Sequence, residues 1–430
     1  MAATTGEGGG PRLRDDRDFR RYWTARQVSL SGSLITAVAM PVLVYTLTGS
    51  PGLTALTTVL EALPYLLVGL FAGVVGDRVD RRRVMVGADL ANVAVIGSVP
   101  LAWWLGGLTV PHVLLAGLLA QTLFTFFDGA SFGALPVLVG RDRIGEANAA
   151  LWGFGGVLDL TVPALVGLAL AVVHPADLLA VDALTFLVSA LTIRSIRRAM
   201  SVRRDREPVA TGAVAGVLAD IREGLTFLWR HDGVRTNTVI GMLQSVAGAG
   251  WVALWVPWAD RTLGIGTSGW RFGLVFSVWG LGGILASALT PWLLRRATPA
   301  RLTLLAIPLS GVAGVCVALT THWVVAAVLM VGWGVAYQVV IINSLTYRQQ
   351  VTPEHLLSRV NTAGRMLSWG VGWTLGAVVA GALATQVGVP RAMLWLTCVG
   401  LGAAAYAWLS PLRRIAARQG RETATSGTPT

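Results

Sequence analysis

The chain has 430 residues, of which 54% are hydrophobic and only 13% are charged. Soluble domains carry about 25% charged residues, and the mean hydropathy here is +0.64, so a water-soluble globular fold is excluded. The net charge is +12, and every basic residue is arginine. These arginines lie at the ends of apolar segments, which favours a role in membrane topology and argues against nucleic-acid binding.

Apolar segments that are long enough to cross a bilayer recur along almost the whole chain. In chain order they predict twelve transmembrane helices: Tyr22–Thr48, Thr54–Gly76, Val84–Leu105, His112–Val139, Ala147–Val173, Asp177–Ile196, Val234–Leu263, Gly269–Leu294, Leu302–Thr320, Trp323–Tyr347, Val360–Gln386 and Ala392–Leu409. The loops on one side carry most of the arginines, whereas the opposite loops hold only Arg261, Arg271 and Arg391. This asymmetry predicts a multi-pass membrane protein with both termini in the cytoplasm. The use of arginine as the only basic residue indicates a GC-rich bacterial genome, so the expected location is the bacterial inner membrane.

The longest internal polar segment divides the predicted helices into two sets of six. Apolar residues recur in it every three or four positions from Val214 to Leu228, which predicts an amphipathic helix on the inner membrane face. The two sets share short motifs at a nearly constant offset, for example around Pro41 and Pro257. The expected domains are a cytoplasmic tail (1–18), a six-helix bundle (19–196), the linker (197–232), a second six-helix bundle (233–411) and a second cytoplasmic tail (412–430).

A basic segment, residues 73–83, connects the second and third predicted helices, and we call it the hinge. A segment this rich in arginine cannot cross the membrane and marks the cytoplasmic side. It resembles the cytoplasmic loop signature of the major facilitator superfamily, with Asp80 in place of the usual second glycine. The residues that match this signature are Gly73, Asp77, Arg78, Arg81 and Arg82.

The layout of two times six helices extends this resemblance over nearly the whole chain. It implies an all-α integral membrane fold with twelve transmembrane helices in two pseudo-symmetric six-helix bundles. The chain is also similar to drug:proton antiporters of the macrolide and siderophore exporter type, through residues 39–42, 147–148 and 181–186. The helix-bend motif of that branch is reduced here to Pro163 and Gly167, and Gly376 is a further small residue that allows close helix contact.

The resemblance implies that the hinge acts as a gate. Asp77 is expected to face the start of the eleventh helix, and the hinge arginines are expected to pair with Asp142 or Glu146. Such contacts would form only when the cytoplasmic ends of the two bundles close. The alternative is that these charges only fix the topology.

Charged residues inside the predicted helices are candidates for proton coupling or substrate binding. Asp159, Asp128 and Glu61 each lie at a depth where an ionised group must be paired, face water or be protonated. The alternative is a structural polar contact between helices. Further candidates for the same cavity are Arg26, Arg365 and Gln27.

Several other intramembrane residues carry weaker expectations. Asp89 is expected to pair with the hinge arginines, and Asp182 is expected to be structural. Trp251, Trp255 and Trp258 share one helical face, which is compatible with a drug pocket but is more typical of anchors at the membrane interface.

Together these features predict a secondary transporter that exports a hydrophobic or amphipathic small molecule by alternating access, coupled to protons. The expected partners are this substrate, protons and membrane lipid, and the protein is expected to be a monomer. No phosphate-binding loop, metal-ligand spacing or catalytic constellation is found in the sequence, so neither a cofactor nor an enzymatic activity is expected. The alternatives are an importer or uncoupled facilitator on the same fold and, in another class, a membrane enzyme or assembly factor.

Overall fold

A computed structural model describes residues 13–69, 71–72, 75, 79–140, 143–201 and 213–418, and this part of the chain is helical throughout, without strands. After a 3-10 turn (Leu13–Asp15), the helices are α1 (Arg17–Thr48), α2 (Pro51–Leu67), α3 (Arg81–Trp104), α4 (Val110–Val139), α5 (Ile144–Ala169), α6 (Pro175–Arg194), α7 (Ala213–Arg230), α8 (Asp232–Arg261), α9 (Gly269–Leu294), α10 (Pro299–Leu319), α11 (Trp323–Val351), α12 (Glu354–Arg365), a π-helical segment (Met366–Gly372), α13 (Trp373–Val387) and α14 (Val389–Leu409).

Local sequence signals explain where several helices begin and end. Asp16 caps α1 by accepting the backbone N–H groups of Asp18 and Phe19, and Ser50 caps α2 in front of Pro51. Gly49 ends α1 at a φ of 62°, which glycine adopts without steric cost. A side-chain cap of this kind contributes about 0.5–2 kcal/mol, so these residues set the boundaries that the apolar pattern alone leaves open.

The helices form two bundles, as predicted. Eleven segments of the described chain are long and apolar enough to cross a membrane, and α2, with 17 residues, supplies the twelfth crossing. Helices α1 to α6 pack mainly on one another, and so do α8 to α14. The two sets meet mainly where α5 packs on α9 and where α2 packs on α13 and α8.

The eleventh crossing differs from the uninterrupted helix that was predicted from Val360 to Gln386. It begins as α12 at Glu354, continues through the π-helical segment and ends as α13. A π-helical turn widens the helix locally and is frequent at functional sites. The periodicity of the sequence could not reveal it, because the apolar pattern is continuous through Met366–Gly372.

Helix α7 lies within the predicted linker and packs against α12. Leu228 is fully buried in a cluster that includes Val234, Tyr347 and Val360, and Leu225 packs against the same cluster. Leu225, Phe227 and Leu228 of this helix therefore contact the second bundle, whereas the sequence suggested contact with the membrane face.

Candidate functional site

The two bundles touch at one end of the molecule, which we call the outer end because it lies opposite the arginine-rich loops. A Cβ atom built on Gly167 of α5 would lie 2.4 Å from the Cα atom of Gly273 on α9. On the other flank, a Cβ atom on Gly52 would lie 3.0 Å from the side chain of Thr385. The outer contact therefore depends on glycines that let the backbones approach closely.

A polar cluster of Tyr45, Asp260 and Arg261, which we call the outer clasp, joins the same ends. The hydroxyl of Tyr45 on α1 donates a hydrogen bond to Oδ2 of Asp260 on α8 at 2.9 Å. Nε of Arg261 donates to the Tyr45 hydroxyl at 2.8 Å, and Nη2 of Arg261 donates to the carbonyl of Gly49 at 2.6 Å. Sequence analysis noted only Arg261, as a charge of the outer loops, because pairing between distant helices leaves no local pattern.

At the opposite end, which we call the inner end, the bundles separate. Gly156 is the innermost glycine of α5 that contacts α9, since a Cβ atom on it would lie 3.6 Å from Ile284. Trp152 lies one turn further inward on the same face of α5 and is 78% exposed. Leu67 and Phe71, at the inner end of the second crossing, are also exposed. Between α2 and the π-helical segment the contact reaches further inward, since a Cβ atom on Gly370 would lie 3.2 Å from the side chain of Leu66. We call the space between the bundles inward of these contacts, where the side chains are exposed, the cavity.

Arg26 of α1 and Asp128 of α4 form an ion pair beside this cavity, at 3.3 Å. Their side chains are 25% and 32% exposed, so the pair faces open space and is not sealed inside the first bundle. The guanidinium also lies 5.4 Å from the ring centre of Phe127. Sequence analysis proposed both charged residues as candidates, and the structure brings them together.

Asp159 and Glu61 also face the space between the bundles. Asp159 is exposed and lies one turn beyond Gly155, which contacts Leu30 of α1, while its own backbone contacts Gly280 of α9. Glu61 is partly exposed and shares one face of α2 with Tyr65, one turn away. Within the described part of the chain, neither carboxyl group has a hydrogen bond or an ion pair.

The second bundle contributes Arg365 to this region. It is exposed, and it lies at the end of α12, directly before the π-helical segment. Tyr65 lies within electrostatic reach of Asp128, Arg26 and Arg365, so it stands between charges of both bundles. Sequence analysis did not single out Tyr65, because nothing in its neighbourhood along the chain distinguishes it from a packing residue.

Other predicted residues occupy packing positions. Gln27 is buried and donates a hydrogen bond to the carbonyl of Leu151, which ties α1 to α5. Pro163 and Gly167 lie at the outer contact with Gly273. Gly376 lies so close to α8 that an added Cβ would be 2.4 Å from the carbonyl oxygen of Val246.

Two intramembrane acids lie inside the first bundle, away from the cavity. Asp182 is buried and accepts hydrogen bonds from Thr36 and Thr185, which fits a structural role. Asp89 is also buried, and among the described residues no ion pair is seen between it and Arg82 or Arg83; because Arg78 lies outside the described residues, its pairing with the hinge arginines stays a prediction. The position of Asp89 on α3 turns it toward Ser189 of α6.

The three tryptophans of α8 are not interfacial anchors, contrary to the preferred interpretation of the sequence. Trp251, Trp255 and Trp258 are at most 2% exposed. Trp251 stacks against Trp279, with ring centres 5.4 Å apart, and meets Trp333 edge to face. The helical face that they share points into the second bundle, where aromatic packing outweighs the preference of indoles for the membrane interface.

Of the predicted gate, Gly73, Asp77, Arg78 and Asp142 lie outside the described residues. Nη1 of Arg81 donates to the carbonyl of Gly133 at 2.9 Å, and Nη2 of Arg82 donates to the carbonyl of Arg198 at 2.7 Å. Glu146 is exposed at the start of α5. These two arginines thus hold the inner rim of the first bundle together in this conformation.

The same rim contains an ion pair between Asp16 and Arg198, at 2.8 Å. Arg198 also donates a hydrogen bond to the carbonyl of Leu138. The pair therefore links the start of α1 to the end of α4 and to the segment that follows α6. Partial burial acts to raise the pKa of Asp16, but hydrogen bonds from the Phe19 N–H and from Arg198 outweigh it. The pKa of this carboxyl therefore lies below its ordinary value.

The chain shares its fold with solved structures of transporters. The chain superposes on the nucleoside transporter NupG with a TM-score of 0.72 at 13% identity, covering 92% of this chain and 99% of the other. It superposes on the peptide transporter POT with a TM-score of 0.73 at 13% identity, covering 93% and 95%. At these identities the likeness establishes the fold alone.

Relatives found by sequence share a higher identity with this chain than these solved structures do. The multidrug efflux pump Tap of Mycobacterium tuberculosis is 29% identical over 403 residues, which cover 88% of this chain and 90% of the pump. The macrolide efflux protein A of Streptococcus pyogenes is 24% identical over 226 residues, covering 52% of this chain and 54% of that protein. Residues 13–426 match the family described as transmembrane secretion effector. The chain therefore belongs to the transmembrane secretion effector family of the major facilitator superfamily, whose members are membrane transporters and not enzymes.

Proposed function

We propose that this protein exports a hydrophobic or amphipathic small molecule, a drug or a secondary metabolite, by alternating access coupled to inward proton flow. The observation that carries the proposal is the cavity that opens toward the inner end beside the unpaired carboxyl groups of Asp159 and Glu61. The similarity to a multidrug efflux pump along most of the chain supports export as the direction. In this proposal both termini lie in the cytoplasm and the protein works as a monomer.

The charges of the cavity suggest how protons and substrate compete. Arg26 already neutralises Asp128, which leaves Asp159 and Glu61 as the acids that can exchange a proton. An ionised carboxylate in a cavity of low dielectric constant costs several kcal/mol unless it is paired or hydrated. A proton or a cationic group of the substrate removes that cost, so binding of one disfavours binding of the other.

The gate completes the cycle. In the present conformation the outer clasp and the glycine contacts hold the outer end closed, and substrate enters the cavity from the cytoplasm. Opening toward the outside requires these contacts to break and the inner ends to meet. We assign the second task to the hinge, where Asp77, Arg78, Arg81 and Arg82 act together with Asp142 and Glu146 as a latch.

The test is transport in proteoliposomes under an imposed proton gradient, with ethidium and a macrolide as probes. The wild-type protein is expected to accumulate at least one probe against its gradient. Asp159→Asn is expected to lose at least about tenfold of the proton-driven accumulation while it retains downhill exchange, since only the coupling acid is removed. The matched control is Asp177→Asn, which removes a carboxylate that is bonded to Trp104 at the outer surface.

The other outcomes separate the alternatives. Probe movement that only equilibrates the probe gradient, at a rate unchanged by collapse of the proton gradient, would favour an uncoupled facilitator. Proton-driven movement of the probe in the opposite direction would favour an importer. A correctly inserted protein that moves neither probe, and that gives no protection when a drug-sensitive bacterial host expresses it, would contradict drug export and revive a role in membrane assembly.

A further inference from the structure

A second polar site lies at the inner end of the first bundle, outside the transport cavity. It is an open groove of about 510 Å³ between α1 and α6. The residues from α1 recur at spacings of three and four, so they share one helical face. The groove is lined by Arg17, Arg20, Arg21, Thr24 and Thr192.

Two of the three arginines in this groove have guanidinium groups without a partner among the described residues. Arg21 donates to the carbonyl of Ser195 at 2.8 Å and pairs with Asp18 at 3.3 Å. Arg17 and Arg20 are exposed, and within the described part of the chain neither guanidinium group makes a hydrogen bond or an ion pair. Two free guanidinium groups beside the hydroxyls of Thr24 and Thr192 offer bidentate donors that match the oxygens of a phosphate group.

The neighbouring surface distinguishes between a lipid phosphate and a free phosphate ion as the ligand of the groove. Thr192 continues a face of α6 on which every large apolar side chain is exposed, as expected for contact with lipid. These side chains are Val181, Leu184, Val188 and Leu191. A phosphate in the groove is therefore continuous with a surface that accepts acyl chains, which a free phosphate ion lacks. Basic pockets between transmembrane helices on the cytoplasmic side bind the headgroups of anionic lipids.

We propose that this groove binds the phosphate headgroup of an anionic phospholipid of the inner leaflet, with its acyl chains along the exposed face of α6. The lipid bridges α1 and α6, and α1 also carries Arg26 of the transport cavity. The site does not depend on which substrate is transported or on proton coupling, so its test is a binding measurement.

The test is lipid binding by native mass spectrometry and titration in nanodiscs, with phosphatidylglycerol as the probe. Arg17→Gln combined with Arg20→Gln is expected to weaken phosphatidylglycerol binding by about thirtyfold, since each arginine near the membrane surface contributes about 1 kcal/mol. The matched control is Arg295→Gln combined with Arg301→Gln, which removes two exposed inner-end charges of the second bundle. The control is expected to change binding at the groove by less than about twofold.

Two further probes identify the source of the phosphate. Glycerol 3-phosphate and inorganic phosphate at millimolar concentration are expected to leave bound phosphatidylglycerol in place, because they lack acyl chains. Displacement of the lipid by either ion would overturn the lipid assignment in favour of a soluble phosphate site. Equal binding by the groove variant and the control variant, both folded by thermal unfolding, would overturn the site itself.

Discussion

The two ends of the molecule close by different means. At the outer end, glycines such as Gly167 and Gly273 bring the backbones together, and the clasp around Tyr45 adds hydrogen bonds between charged groups. At the inner end, two of the described hinge arginines, Arg81 and Arg82, bind carbonyl groups of their own bundle. Close packing needs small residues, whereas long charged side chains can exchange partners. The outer end therefore closes by backbone packing, and the inner end by contacts of charged side chains that can change between conformations.

The largest effect is expected where fit is tightest. Gly167→Ala places a methyl group 2.4 Å from the backbone of Gly273, which neither helix can accommodate without separating. We expect this variant to lose nearly all transport, with a shift toward conformations open at the outer end. The measurement is probe accumulation in proteoliposomes, together with labelling of outer-end cysteines.

Gly153→Ala is the matched control, because a Cβ atom at Gly153 in the same helix meets nothing within 4 Å. We expect it to transport at the wild-type rate. Equal transport by Gly153→Ala and Gly167→Ala would remove the argument that the outer end closes by backbone contact.

The next largest effect is expected at the hinge. Asp77→Asn removes the one carboxylate of the signature and is expected to reduce transport by about tenfold or more while insertion stays normal, since a charge-assisted contact contributes about 1.5–3 kcal/mol. Transport rate and surface labelling are measured on the same preparation. A normally inserted Asp77→Asn protein with normal transport would leave the hinge with a role in topology only.

A smaller effect is expected at the outer clasp. Tyr45→Phe removes two hydrogen bonds between the bundles, to Asp260 and from Arg261, and keeps the ring. We expect the equilibrium between outward-open and inward-open states to shift about tenfold toward outward-open, which corresponds to about 1.4 kcal/mol. Distances between spin labels at the outer end measure this shift. Arg271→Gln is the control, because Arg271 stacks on Trp270 and Trp323 of its own bundle. If Arg271→Gln shifted the equilibrium as much as Tyr45→Phe, the outer clasp would have no specific role.

The smallest effect on transport is expected at the inner rim of the first bundle, because its ion pair between Asp16 and Arg198 does not connect the two bundles. Because the pKa of Asp16 is lowered in the folded protein, its ionised form contributes stability at neutral pH. That contribution is lost as the pH falls below the ordinary value of 3.8 and through the lowered pKa. Asp16→Asn is expected to lower the free energy of unfolding by about 1 kcal/mol at pH 7 and to leave transport unchanged. The check is thermal unfolding at pH 7 and at about pH 2, well below the ordinary pKa of 3.8, where the difference between the two proteins should shrink. A constant difference would place the effect in the helix cap alone.

Much of this fold follows from simple periodicity and charge. The apolar segments predict the crossings, and their arrangement in two bundles is the one observed. The sequence also identifies Arg26 and Asp128, because charges inside apolar helices are rare and costly. It cannot show that they pair, since that depends on how α1 and α4 pack.

The misses have the same cause. The position of Trp251 along the chain suggests an interfacial residue, but its environment is set by the neighbouring helices on which its side chain packs. The outer clasp joins Tyr45 to Asp260 across the two bundles, and no local sequence pattern predicts a contact between residues so far apart in the chain. The π-helical segment depends on backbone geometry that a continuous apolar pattern hides.

The central claim is that the outer end must open and close during transport while the two bundles move around a shared cavity. A reversible cross-link across the outer end tests it most directly. Gly52→Cys and Thr385→Cys, in a protein without Cys316 and Cys398, place the sulfur atoms across a contact of 3.0 Å between α2 and α13. The control pair, Gly97→Cys and Ala183→Cys, lies within the first bundle, with the Cβ position of Gly97 3.7 Å from that of Ala183. We predict that oxidation of the outer pair abolishes transport, that a reductant restores it, and that the control pair transports in both states. Full transport by the cross-linked outer pair would contradict the account.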